Sequence, residues 1–149
     1  RFDQLLAQKP TLTKMKVMGD CYMVAGAFFA DVPQQAEHEK EALAFGLESI
    51  KTVTEINKEQ KLNLSIRVGL DAGGPVVAGV LDVGKPTFEL FGNVVSIAKQ
   101  IEEKCIPMTV HISRAVFERI YFDFTNFKIH TREKIAIKQG TITSYTVLP

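Results

Sequence analysis

A carboxylate in a tight turn, an arginine in an apolar run, and two polar residues one helical turn apart are the features of this sequence that bear chemistry. Gly19-Asp20 is a turn signal between two strand-like stretches, so the Asp20 carboxylate stands at a hairpin tip. Taken alone, a Gly-Asp pair is accounted for by the turn it makes. Arg67 lies among Ile66, Val68 and Leu70, where a guanidinium is costly unless paired, so it is expected to have a partner. Ser96 and Gln100 are four residues apart in a helical stretch and share one face, and neither is charged. His38, His111 and His130 lack metal-ligand spacing, and His38, within Glu37-His38-Glu39-Lys40, reads as part of a solvated face. Cys21 and Cys105 read as small buried hydrophobes.

The elements that must position these residues follow from pattern. Residues 2 to 8 read as the tail of a helix stopped near Pro10. Lys14 to Met18 and Cys21 to Ala27 read as a hairpin, and Phe28 to Pro33 as a loop. A helix runs from Gln34 to about Lys58 on Leu43, Leu47, Ile50, Val53 and Ile56. Leu62 to Leu70 and Pro75 to Leu81 read as strands joined through Ala72-Gly73-Gly74, and Thr87 to Phe91 as a short strand. A helix spans about Asn93 to Lys104 with the stripe Val94, Ile97, Ala98, Ile101 and Cys105. Thr109 to Ile112 reads as strand, Ser113 as the cap of a helix to Ile120, and the rest, with Phe122-Asp123-Phe124 and Ile142 to Leu148, as more strand. This order predicts an α/β sandwich with a mostly antiparallel sheet.

With 149 residues, 46% hydrophobic and 23% charged, the chain suits one domain and one core. A net charge of +1 gives no broad pull toward nucleic acid or an acidic membrane. No apolar run is long enough to span a bilayer. The cysteines suggest no disulfide framework, which fits a reducing, cytoplasmic setting, either free-standing or as the cytosolic domain of a membrane protein. The start at Arg1-Phe2-Asp3 reads as mid-helix, hence as an N-terminally incomplete piece of a longer protein.

Three segments carry a family resemblance: Lys16-Val17-Met18-Gly19-Asp20-Cys21-Tyr22-Met23; Arg67-Val68-Gly69-Leu70 continuing through Gly74-Pro75-Val76-Val77-Ala78-Gly79-Val80; and Lys85-Pro86-Thr87-Phe88-Glu89-Leu90-Phe91-Gly92-Asn93. In their order and approximate spacing they resemble class III nucleotidyl cyclase catalytic domains, which close ATP or GTP into a cyclic monophosphate. The resemblance spans nearly the whole chain and implies a ferredoxin-like α+β sandwich whose first strand would precede Arg1.

The resemblance also implies roles. Asp20 matches one of two aspartates that hold two Mg²⁺ or Mn²⁺ ions; the other lies on the upstream strand. Lys16 and Glu89 match the purine-reading pair, usually Lys and Asp in adenylyl cyclases. A lysine donor and a carboxylate acceptor suit adenine, whose N1 accepts and whose 6-amino group donates, so ATP is the implied nucleotide. Arg67 matches a phosphate-contacting arginine. Lys138 stands beside Gln139, which falls where the family has a phosphate-touching lysine.

The family's transition-state asparagine and arginine fall at Ser96 and Gln100. Losing one preorganised donor typically costs ~10²–10³ in rate, and losing a cation that meets phosphoryl charge ~10³–10⁵. A symmetric dimer of this chain is therefore expected to be very slow or inactive. Gly73-Gly74, where the family usually has one glycine before the residue matching Pro75, implies a bulge or longer turn. The overall pattern is similar to the first catalytic half of mammalian membrane adenylyl cyclases, which carries Gly-Asp-Cys-Tyr and lacks the Asn/Arg pair. That implies a metal-donating half that needs a second cyclase domain. The rival reading is a catalytically dead pseudo-cyclase acting in dimerisation or nucleotide sensing.

Overall fold

The computed structural model describes residues 1–27, 37–81, 84, 87–121 and 127–149. The expected Phe28 to Pro33 loop, the start of the long helix at Gln34, and the Phe122 to Phe124 strand lie outside or partly outside these. A short helix α1 (Phe2–Leu6) leads to the hairpin β1 (Leu12–Met18) and β2 (Cys21–Gly26). The strands pair antiparallel, with Lys16 opposite Met23 and Met18 opposite Cys21. Gly19 turns the corner at φ +60°, a left-handed value that a residue without Cβ adopts freely.

Helix α2 (His38–Gln60) buries Leu43, Ile50 and Val53. Strand β3 (Val68–Leu70), β6 (Val110–Ser113), β7 (Lys128–Ile137) and β8 (Gly140–Leu148) form a sheet in the order β3-β6-β8-β7. β3 and β6 are parallel; β6–β8 and β7–β8 are antiparallel. A second hairpin joins β4 (Val77–Leu81) to β5 (Thr87–Phe91). Helix α3 (Asn93–Glu103) follows β5, and α4 (Arg114–Ile120) follows β6 with Ser113 Oγ accepting from the Val116 amide. The core packs Leu43 and Ile50 of α2 and Val116 and Ile120 of α4 onto Val110, Ile112, Tyr145 and Val147 of the sheet. Each such side chain contributes about 1.5–3 kcal/mol of burial.

Gly69 sets how α3 sits. A Cβ built there would lie 2.4 Å from the Glu102 amide nitrogen and 2.6 Å from the Ala98 carbonyl oxygen. The helix thus rests on bare β3 backbone, which fixes the height of its outward face.

Several expectations need correction. The strand expected over Leu62 to Leu70 is confined to Val68–Leu70. The Asn57 amide group captures the backbone of Leu64, donating to its carbonyl (2.8 Å) and accepting from its N–H (2.9 Å), so those groups do not enter a ladder. Among the described residues no ladder joins β3 to β4: their partners are β6 and β5, and the intervening 71–76 segment, with a cis Gly74-Pro75 bond, connects two sheets instead of closing a hairpin. His38 is half-buried, not solvated, with Nε2 3.0 Å from Oε1 of buried Glu39, which Arg119 of α4 also reaches at 3.1 Å. Cys21 is exposed at the hairpin tip, whereas Cys105 is buried as expected. Among the described residues no helix is long and apolar enough to cross a membrane.

Candidate active site

The two hairpins bring Lys16 and Glu89 together. Lys16 Nζ donates to both carboxylate oxygens, at 2.7 and 2.6 Å, with both side chains about three-quarters buried (23% and 25% exposed). β1 supplies the lysine and β5 the glutamate, opposite Gly79 of β4. A donor and an acceptor therefore stand side by side at the junction of the hairpins.

Asp20 lies at the tip of the β1–β2 turn, exposed, and makes no ion pair or side-chain hydrogen bond among the described residues. Its oxygens are free to bind a cation. Among the described residues no three His, Cys, Asp or Glu side chains gather to hold a metal ion. The donor chemistry of Asp20 fits one hard oxygen ligand of such an ion.

Ser96 and Gln100 do share a face of α3, and that face is bonded to the β7–β8 turn. Gln100 Nε2 donates to Ser96 Oγ (3.2 Å) and to Gln139 Oε1 (2.9 Å). Gln100 Oε1 accepts from the Lys138 amide at 2.7 Å, and Gln139 Nε2 donates to Ser96 Oγ at 3.1 Å. The three polar residues are thereby satisfied by one another and by backbone. Sequence spacing gave the 96/100 pair; the third member is 39 residues beyond Gln100 and entered only by resemblance.

Arg67 precedes β3 instead of lying in a strand, and it is exposed. Its Nε lies 2.8 Å from Glu102 Oε1 and its Nη1 3.4 Å from the Glu103 carbonyl, at the C-terminal turn of α3. The structure therefore supplies Arg67 with a protein partner. The side chain of Lys138 makes no such pairing among the described residues.

A polar cluster that the sequence did not reveal joins α2, α4 and the end of β6: His38 and Arg119 both reach Glu39, and Asp71, just past β3, feels Arg119 and bonds Ser113. Burial raises the Asp71 carboxyl above its ordinary range despite the Ser113 hydroxyl bonded to it. At the other end of the hairpin, Asp3 accepts from Lys14 Nζ (2.9 Å) and from the Tyr22 hydroxyl. Desolvation, reinforced by Asp3, pushes the Tyr22 phenol up to about 12.

The family model described as "Adenylate and Guanylate cyclase catalytic domain" matches residues 1–149. Guanylate cyclase 2G of Mus musculus is 34% identical over 116 residues, covering 76% of this chain and 10% of that protein. Adenylyl cyclase X E of Drosophila melanogaster is 30% identical over 151 residues, covering 99% of this chain and 13% of that protein. The chain thus spans a small part of the curated relatives it matches. Among solved structures, the guanylate cyclase domain of RhGC from Catenaria anguillulae in complex with GTP superposes with a TM-score of 0.84 at 25% identity, over 98% of this chain and 76% of that one. The catalytic core of a rhodopsin-guanylyl cyclase with converted specificity, in complex with ATPalphaS, gives 0.83 at 26% identity, over 99% and 76%. With this match over its whole length, the chain belongs to the family of class III adenylyl and guanylyl cyclase catalytic domains.

Proposed function

We propose that this domain converts ATP to cyclic AMP and pyrophosphate as the metal-donating half of a two-domain site. The carrying observation is the contrast between its two polar features: Asp20 is exposed and unpaired, while Ser96, Gln100 and Gln139 are neutral and mutually satisfied. The chain can offer a carboxylate to a metal but offers no arginine from α3 to a phosphate. A paired Mg²⁺ or Mn²⁺, when bound, stabilises the attacking 3′-oxygen and the departing pyrophosphate. This reading requires a second carboxylate from upstream in the polypeptide and an Asn/Arg pair from a second cyclase domain.

Exposed Val17, Met18, Val77, Val80 and Phe91 on the two hairpins support such a partner, since they form apolar surface without cover on this chain. The Lys16 donor beside the Glu89 acceptor matches the adenine type of base pocket, and in the working site the base is read by the partner domain's equivalent pair. In the metal-donating half Lys16 and Glu89 line the second, degenerate pocket; Arg67 and Lys138 are the residues that would meet nucleotide phosphate, Arg67 by leaving its partner Glu102. The domain works in the cytoplasm, alone or as the cytosolic part of a membrane protein.

The closed Ser96/Gln100/Gln139 network also favours a second reading, a pseudo-cyclase that dimerises or senses nucleotide without catalysis. Mixing this domain, in a polypeptide that includes the upstream carboxylate, with cyclase domains that carry Asn and Arg on the equivalent helix separates the two. Cyclic AMP that appears only in the mixture and vanishes in Asp20→Ala is the expected result. No product with any cyclase domain of the same organism or polypeptide removes the metal-donating role and leaves the pseudo-cyclase.

A further inference from the structure

Two apolar rows run into the core side by side: Ile66, Val68 and Leu70 through β3, and Met108, Val110 and Ile112 through β6. Upstream, at the same two-residue step, come Leu64 and Leu62 in one lead and Ile106 in the other, and there the core has ended. Leu62, Leu64 and Ile106 are 45%, 50% and 52% exposed, with exposed Pro107 next to Ile106. The Met108 N–H donates to the Ile66 carbonyl at 2.8 Å, so the two leads meet at one end of the sheet. Both are fixed there. The Asn57 amide group holds both backbone groups of Leu64, and the Ile106 carbonyl accepts from the Thr109 N–H at 3.2 Å and from its hydroxyl at 2.7 Å. An aliphatic ledge already held by hydrogen bonds loses little conformational freedom on docking.

Charge surrounds this ledge. Lys58 and Lys61 stand at the close of α2 and Lys104 at the close of α3, all exposed. None has an ion-pair or side-chain hydrogen-bond partner among the described residues. Of the carboxylates in the two closing turns, Glu59 is held by Arg1 and Glu102 by Arg67, which leaves Glu103. Three ammoniums against one free carboxylate give this end a local positive excess that the net charge of +1 conceals. Lysines at helix C-termini also offset the partial negative charge of the carbonyl ends. That accounts for the cations and not for the exposed aliphatic side chains among them.

The combination selects the partner. Protein interfaces are enriched in aromatic side chains and depleted in lysine at their centres, whereas this ledge is aliphatic and flanked by lysine. A bilayer accepts such a surface: short aliphatic side chains enter the headgroup boundary, while lysines lay their stems on the apolar side and set their ammoniums at the lipid phosphates. We propose that the end of the domain formed by Leu62, Leu64 and Ile106, with Lys58, Lys61 and Lys104 around them, docks reversibly on an anionic lipid surface. The contact is peripheral and spans nothing. It uses neither Asp20 nor the Lys16–Glu89 pair, so it stands or falls apart from the metal-donating role.

The test is cosedimentation of the full 149-residue chain with vesicles of phosphatidylserine and phosphatidylcholine in equal parts, set against vesicles of phosphatidylcholine alone. Binding to the anionic vesicles that weakens with added salt is expected, with at least about tenfold weaker binding to the neutral ones. Lys61→Glu/Lys104→Glu and, separately, Leu64→Ser/Ile106→Ser each lower partitioning by at least about tenfold. Leu64→Met/Ile106→Met, which keeps the apolar surface, retains binding. Lys51→Glu/Lys134→Glu, equal in charge change but placed in the middle of α2 and of β7, leaves partitioning within about twofold of the parent. The proposal is overturned by absence of binding to the anionic vesicles, by equal binding to both kinds, by binding that survives either the lysine or the serine pair, by loss in the methionine pair, or by an equal loss in Lys51→Glu/Lys134→Glu.

Discussion

Lys16 Nζ lies 2.7 and 2.6 Å from the two carboxylate oxygens of Glu89, and this pair ties the β1–β2 hairpin to the β4–β5 hairpin. Exposed ion pairs contribute about 0–1 kcal/mol; this one is partly sheltered and doubly bonded, which places it near the top of that range. Glu89→Ala should lower unfolding free energy by about 1 kcal/mol, and Lys16→Ala by a similar amount. The double variant should lose less than the sum, with a coupling of roughly 0.5–1 kcal/mol measured by urea unfolding. Strict additivity would mean that the hairpins are held together by other contacts.

A second prediction concerns the seat of α3. Gly69→Ala places a methyl 2.4 Å from the Glu102 amide nitrogen, and backbone cannot rotate aside as a side chain can. Overpacking usually costs about 1–3 kcal/mol, and a clash with helix backbone belongs at the upper end. The thermal midpoint should fall by several degrees. If α3 lifts to make room, the bonds from Ser96 and Gln100 to the β7–β8 turn lengthen as well. A Gly69→Ala protein as stable as the parent would show that α3 does not rest on β3.

The Gln100 Oε1 bond to the Lys138 amide is open to hydrogen exchange. Gln100→Ala removes the acceptor and, with it, the Nε2 bond to Gln139. One hydrogen bond contributes about 0.5–1.5 kcal/mol net, so exchange at Lys138 should quicken by roughly three- to tenfold, read by NMR. Amides in the middle of β8 should be unmoved. Unchanged exchange at Lys138 would show that the turn holds its own shape without the helix.

How much of this was legible in the sequence depends on the range of each interaction. The β1–β2 hairpin, the α3 stripe ending at Ile101 and Cys105, and the Ser113 cap all depend on residues within a few positions, and all were found where expected. Leu62 to Leu70 has a strand-like pattern, but the Asn57 side chain, from outside that segment, occupies the backbone of Leu64, and the strand starts only at Val68. The parallel pairing of β3 with β6, the Arg67–Glu102 pair and the reach of Arg119 to Glu39 join distant segments, and local patterning encodes none of them. The cyclase segments gave family and fold. They did not show that Gln139 closes onto Ser96 and Gln100, because three neutral residues read singly look like three losses, and only their geometry makes them one network.

His111 supplies the pH prediction. It lies on β6 with its side chain wholly buried, opposite Thr146 of β8. Nε2 is 2.8 Å from Thr146 Oγ1, and Thr146 in turn accepts from Thr131 at 2.9 Å, so the Thr146 proton is directed at Nε2. Nδ1 is buried without a partner. Desolvation lowers the His111 pKa below 6.5, and the Glu133 charge offsets only part of this. The fold therefore holds the ring neutral while the unfolded chain titrates it normally. As pH falls below 6.5, the unfolded state takes up a proton that the folded state refuses, and stability declines until the folded pKa is reached. Above 6.5 neither state carries that proton and the effect is gone. Each unit of depression corresponds to about 1.4 kcal/mol at the acid end. Urea midpoints at pH 7.5 and 5.5 should separate more in the parent than in His111→Gln, where the titrating ring is absent. Equal separations in the two proteins would mean that His111 does not report pH to the fold.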